Sequence, residues 1–131
     1  MPTGPRAVIF DFDGVIADSE PLHLAAFQRT LAAEGITLTA ADYYARYLGF
    51  DDHDAIVTAL VEAGRAALPV YVRGLMGRKA EAFLALVRAD VRVFPGVSDF
   101  VHAAAARVPL AIASGALRHE IELIVDYLYT L

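Results

Sequence analysis

Two aspartates separated by one residue, Asp11 and Asp13, close a short apolar run, Ala7-Val8-Ile9-Phe10, and Gly14 follows them directly. An unbroken run of Val, Ile and Phe suits a strand covered on both faces, as in a parallel sheet. An unpaired buried carboxylate is very costly. The pair is therefore expected at the C-terminal end of the strand, where open α/β sheets bind their ligands. Residues two apart on a strand point the same way, and Gly14 lets the backbone pass closely by whatever they hold. Such a pair suits phosphoryl transfer through an aspartyl-phosphate. One Asp attacks, the second moves the proton of the leaving group or of the attacking water, and a divalent cation screens the charges. The spacing alone fits a solvated polar turn equally well, because Asp, Gly and Ser are common in turns.

A second strand end of the same kind follows Pro109-Leu110-Ala111-Ile112-Ala113, at Ser114-Gly115. If the two strands are parallel neighbours, both ends open on one crevice. The Ser114 hydroxyl, the amides of Gly115 and Ala116, and the next helix N-terminus then make a phosphate cradle. Taken alone, the segment reads as an ordinary Ser-Gly turn. Arg118 lies one helical turn beyond Ser114, within bidentate reach of the same phosphate; a surface arginine is the plainer alternative.

The elements that must carry these groups can be read in order. Asp18 or Ser19 can cap a helix with Pro21 at an early position, and its apolar pattern stops at Gly35. Thr39 can cap a second helix carrying Tyr43, Tyr44 and Tyr47, tyrosines that suit packing. A third helix is expected over 54–63, with Asp51 or Asp52 at its positive end, and a long fourth over 71–88. Val91–Val97 reads as a re-entry turn, followed by an Ala-rich helix to about Arg107, the second strand, and an amphipathic helix from Leu117 to Tyr127. Two apolar strands with helical crossovers indicate α/β architecture. The expected division is a core of residues 1–16 and 91–131, with a helical insertion at 17–90.

Composition bounds the alternatives. The 131 residues, 57% hydrophobic and 21% charged, fit one compact domain or a small core plus an insertion. The formal charge of −5 and the lack of a Lys/Arg cluster argue against nucleic acid or anionic membrane as the main partner. With no cysteine, disulfides, thiolate metal sites and cysteine nucleophiles are excluded. No apolar stretch is long enough to span a bilayer, which makes the cytoplasm the default location. The histidines, at 23, 53, 102 and 119, show no i,i+4 pair or other metal-ligand spacing; His102 and His119 read as helix-surface residues.

The stretch Asp11-Phe12-Asp13-Gly14-Val15-Ile16-Ala17-Asp18-Ser19-Glu20-Pro21-Leu22-His23 closely resembles the first motif of the haloacid dehalogenase (HAD) superfamily. The resemblance is to the phosphatase and β-phosphoglucomutase-like branch, which inserts a helical cap after the first strand. Ile112-Ala113-Ser114-Gly115 resembles the second motif. The resemblance implies an HAD-like Rossmannoid core, with Asp11 as nucleophile and Asp13 as general acid/base. It also implies a Mg²⁺ site that includes the Asp11 carboxylate and the Asp13 backbone carbonyl, and a transferring phosphate held by Ser114. The dehalogenases of the superfamily lack the second Asp, so Asp13 argues for phosphate chemistry. His23 falls where the family has its cap hinge. Lys79, the single lysine, resembles part of a cap-helix basic pair that faces substrate in some relatives; a solvated helix face is the bland alternative. Gly49-Phe50-Asp51-Asp52-His53 matches a specificity loop in which mutases carry an arginine, and its two aspartates favour a phosphatase.

The resemblance covers the first part of the family's pattern. No lysine follows Ser114, and the later acids are Glu120, Glu122 and Asp126 on the last expected helix. The chain thus looks truncated before the third and fourth motifs. The implied function is Mg²⁺-dependent hydrolysis of a small phosphomonoester. The alternatives are a phosphomutase and a catalytically incomplete interaction or oligomerisation module. Self-association is expected through uncovered sheet edges or the apolar Tyr127–Leu131 end.

Overall fold

The computed structural model describes residues 3–90 and 92–130, the last four of these by backbone alone. Val91 of the expected re-entry turn, and the side chains of the Tyr127–Leu131 end, lie outside the described residues. The chain divides into two compact units, Met1–Glu20 with Asp90–Leu131, and Pro21–Ala89.

The first unit is built on two short parallel strands, β1 (Val8–Phe10) and β2 (Leu110–Ile112), paired Val8 to Leu110, Ile9 to Ala111 and Phe10 to Ile112. Bonds from the Val8 amide to the Pro109 carbonyl (3.1 Å) and from the Ala113 amide to the Phe10 carbonyl (2.9 Å) extend the ladder at each end. The expectation of strands covered on both faces is not met. Val8, Phe10, Leu110 and Ile112 are half-buried, whereas Ile9 is 69% exposed. Two strands present one side to the helices and leave the alternate residues in water. Helix α5 (Val97–Ala105) follows Gly96, and the ring of its Phe100 meets that of Phe10 edge-on at 6.0 Å. Helix α6 (Arg118–Thr130) follows β2 and brings Ile124, which is buried. A cavity of about 240 Å³ remains here, lined by Phe10, Ile16, Val101, Leu110, Ile112 and Val125.

The second unit is helical: α1 (Glu20–Ala32), a short α2 (Ala40–Asp42) running into a π-helical turn at Tyr43–Tyr47, α3 (Asp52–Glu62) and α4 (Pro69–Ala89). The starts follow from capping. The Thr39 hydroxyl accepts from the Asp42 amide (3.1 Å), and the Asp51 carboxylate from the Asp54 amide (2.8 Å). Pro69 opens α4, a position where the missing N–H costs nothing; both α3 and α4 begin two residues before the expected starts. Phe27, Leu31, Leu38, Tyr43, Tyr47, Ile56, Leu60, Val72 and Leu75 form one continuous core. Tyr43 and Tyr47 pack there as expected, while Tyr44 is exposed.

Polar clamps tie the rim of this unit. Arg46 holds Glu62 bidentately, at 2.5 and 3.0 Å. The Tyr71 hydroxyl donates to Glu34 at 2.5 Å, and Arg78 donates to its other carboxylate oxygen. The Tyr71 bond first, then the Arg78 bond, holds the Glu34 carboxyl below its ordinary value. Among the described residues, no helix is long and apolar enough to cross a membrane.

Candidate active site

Asp11 is the first residue beyond β1 and is exposed. The Phe12 amide donates to its Oδ1 at 2.7 Å, which orients the carboxylate. Phe12 itself is buried, and its carbonyl accepts from three amides in succession, those of Val15 (3.2 Å), Ile16 (2.9 Å) and Ala17 (3.1 Å). The tight turn this requires passes through Gly14 at φ +79°, a conformation other residues adopt only with strain. The turn is fastened by the Gly14 amide to the Ala17 carbonyl (2.9 Å), the Phe94 amide to the Ile16 carbonyl (3.2 Å) and the Asp18 amide to the Arg92 carbonyl (3.0 Å). Asp13 is thus carried on a rigid loop rather than on the strand. The hydroxyl of Ser19, itself buried, donates to Asp13 Oδ1 at 2.5 Å.

Ser114 stands two residues beyond β2. Because β1 and β2 are parallel and in the register given above, Asp11 and Ser114 leave the sheet at the same end. The Ser114 side chain is exposed, and its Oγ accepts from the Ala116 amide at 3.0 Å, a local turn that orients the hydroxyl. Gly115 lies between them in an exposed bend. Arg118 opens α6 with its side chain 90% exposed and its Nε donating to Glu122 at 2.7 Å.

His23 and Lys79 belong to the helical unit. The solvated-face reading of Lys79 is wrong: its side chain is fully buried. Nζ donates to Asp52 Oδ1 at 2.8 Å, lies 2.8 Å from His23 Nδ1, and sits over the rings of Phe27 (4.5 Å) and Phe83 (5.2 Å). The His23 ring stacks on Phe83 at 4.1 Å. The position follows from α4, whose buried residues Val72, Leu75, Lys79, Phe83 and Val87 form one stripe. A basic residue inside an apolar stripe is itself a signal. Its partner Asp52 reads from sequence as a helix-start or specificity-loop aspartate, and the Asp13 partner Ser19 as a helix cap; neither pairing is evident there, because each stands at a helix start where such residues ordinarily cap.

The donor set at Asp11 and Asp13 is all oxygen, which suits a hard cation such as Mg²⁺. The Asp11 carboxylate and the Asp13 carbonyl come from a loop held by four backbone bonds or more, so the donors are preorganised. Asp51, His53 and Asp54 also gather in the helical unit, but they are exposed, Asp51 caps α3 and His53 leans on Asp54 at 3.3 Å. That group reads as a solvated helix start.

Comparison with known proteins assigns the class. The family described as haloacid dehalogenase-like hydrolase matches residues 8–129, and the chain belongs to that family. It is 28% identical over 113 residues to a protein named CbbY from Cereibacter sphaeroides, covering 83% of this chain and 49% of that one. It is 29% identical over 118 residues to a phosphorylated carbohydrates phosphatase of Thermotoga maritima, covering 88% and 52%. The chain thus spans about half the length of the curated relatives it matches. Among solved structures, a mutant of CbbY from Rhodobacter sphaeroides in complex with xylulose-1,5-bisphosphate superposes with a TM-score of 0.77 at 27% identity, covering 92% of this chain and 56% of that one. The α/β architecture with a helical insertion is the HAD fold, present over its first part.

Proposed function

We propose that the chain carries the nucleophile and phosphate-binding half of a Mg²⁺-dependent phosphatase acting on a small phosphorylated carbohydrate. The observation that carries this reading is the common sheet end at which an oriented, exposed Asp11 and the Ser114 hydroxyl emerge, beside an Asp13 fixed by Ser19. In the reaction, Asp11 Oδ2 attacks phosphorus and the bond from phosphorus to the ester oxygen breaks, with the leaving alkoxide taking a proton from Asp13. A water, deprotonated by the same Asp13, then attacks phosphorus and frees Asp11 and inorganic phosphate. The Ser114 hydroxyl and the Gly115 amide donate to the phosphoryl oxygens throughout, while the Ala116 amide, expected to join them, is instead spent on Ser114 Oγ; the exposed Arg118 lies within the same segment. When bound, Mg²⁺ would be held by Asp11 and the Asp13 carbonyl, with water completing its shell, and would offset the charge between carboxylate and phosphate. The names of the relatives, a phosphorylated carbohydrates phosphatase and a protein in complex with a sugar bisphosphate, support the substrate class.

The helical unit is the part that would select the substrate. The open sheet face, with Ile9 69% exposed, favours self-association of the 131-residue chain. The experiment is a panel of phosphorylated sugars with and without Mg²⁺, with acid-quenched protein analysed by mass spectrometry. Metal-dependent phosphate release and a phosphoryl group on Asp11 are expected. Release that persists in chelator, or a phosphoryl group elsewhere, would overturn the reading.

A further inference from the structure

The cavity of the α/β unit lies where Phe10, Leu110 and Ile112, from the covered side of the sheet, meet Val101 of α5 and Val125 of α6. Its origin is in the sequence. Val97, Val101 and Ala104 are spaced to form the inward stripe of α5, yet no residue of that helix is fully buried. Such short side chains do not fill the gap to the strands, and atoms that border a gap lose contacts that close packing would give them. A guest of the right shape restores those contacts. At about 240 Å³ the cavity exceeds the roughly 150 Å³ that suffices for benzene in a pocket lined by Leu, Ile and Phe. It can take one aromatic ring with a few further atoms, or a fused pair such as indole.

Charge narrows the guest. Among the described residues that line the cavity there is no Asp, Glu, Lys or Arg, so an ion placed there would lose its hydration without a partner. Phosphorylated molecules are excluded on that ground, which separates the cavity from the candidate active site. Ser98 and His102, one helical turn apart on α5, give the lining one polar edge. A ring N–H or hydroxyl of a guest can meet that edge, while its apolar body lies against Phe10, Leu110 and Ile112. The position also gives a guest leverage on the strands. Phe10 directly precedes Asp11, Ile112 stands two residues before Ser114, and the Ala113 amide donates to the Phe10 carbonyl at 2.9 Å. A sheet of two short strands is marginal by itself, so added packing at these ends is felt there first.

We propose that the cavity binds a small uncharged aromatic molecule, of the size of indole, and that its binding steadies the strand ends carrying Asp11 and Ser114. Only the fold of the α/β unit enters this inference, so it stands or falls separately from the phosphatase reading.

The test titrates the full chain with benzene and indole, and with benzoate as the charged control, following the methyl signals of Val101, Leu110, Ile112 and Val125. Saturable shifts centred on these methyls are expected for the two neutral probes, and none for benzoate. At an indole concentration about ten times its Kd, the opening equilibrium of the Ala113 amide, read by hydrogen exchange, should fall by up to about tenfold. Val101→Phe, which fills the cavity from α5, should lose indole binding, whereas Ile9→Thr on the opposite side of the sheet should keep it. The binding site is refuted by the absence of saturable shifts with both neutral probes, by shifts centred on Ile9, by benzoate binding at the same methyls, or by undiminished indole binding in Val101→Phe. Unchanged Ala113 exchange in indole-saturated protein refutes the coupling to the strand ends. Should Val101→Phe not fold, magnetisation transfer from indole protons to the Leu110 and Ile112 methyls of the natural chain decides the matter, its presence supporting the site and its absence overturning it.

Discussion

The two units divide the labour of the chain unequally. The helical unit has a continuous core, running from Phe27 through Tyr47, Ile56 and Leu60 to Leu75, with caps on its helix starts and ion pairs at its rim. The α/β unit carries the candidate chemistry on a sheet of two three-residue strands, with Ile9 in water and a cavity of about 240 Å³ beside Phe10. A sheet of that size is marginal by itself. What order the site has comes instead from its loop, where buried Phe12 and a run of main-chain bonds do the holding. The continuous core and the candidate chemistry thus lie on different parts of one chain, and local stability need not be uniform.

The comparison is broken most directly at Asp11. Asp11→Asn keeps the shape and the Phe12 contact but removes the nucleophile, so turnover should fall by several orders of magnitude with the circular dichroism unchanged. Ser114→Ala should be milder, costing about 2–4 kcal/mol in transition-state stabilisation. Full activity in the first variant, or equal losses in both, would refute the roles assigned to these residues.

Stability should respond in the opposite place. Leu75→Ala in the helical core should cost about 2–5 kcal/mol. Ile9→Thr on the open sheet face should change stability by less than about 0.5 kcal/mol, while shifting size-exclusion profiles toward smaller species. Equal destabilisation by denaturant titration would show that the two units are not differently consolidated.

The smallest effect expected is at Glu34. Its carboxyl is held below the ordinary 4.5 in the folded chain, first by Tyr71 and then by Arg78. A lowered folded value means stability that is present above pH 4.5 and is lost as pH falls through the folded value. The gap in denaturation midpoint between the natural chain and Glu34→Gln should therefore narrow below that pH. A gap independent of pH would show that the carboxylate's charge plays no part.

Much of this organisation could be read in the residues. Thr39, Asp51 and Gly35 mark helix ends by local rules, so the helix order and most boundaries follow from the chain itself. The parallel pairing that puts Asp11 and Ser114 at one end of the sheet needed only two apolar runs with helices between. What local rules miss depends on distant partners. Whether Ile9 is covered depends on elements that the strand's own residues do not name. The stripe of α4 shows that Lys79 points inward, but not that Asp52, 27 residues earlier, meets it. Ser19 reads as an ordinary helix-start serine, and only the turn through Gly14 brings its hydroxyl to Asp13.

The loop centred on the Phe12 carbonyl has a practical consequence. Its geometry is fixed by backbone bonds and by one buried ring, while Val15 is 46% exposed and joins the turn through its amide, which donates to the Phe12 carbonyl. The chain contains no cysteine. A single cysteine at position 15 would therefore be a unique attachment point for a spin label or fluorophore, four residues from Asp11, giving a spectroscopic view of ligand arrival without altering a carboxylate.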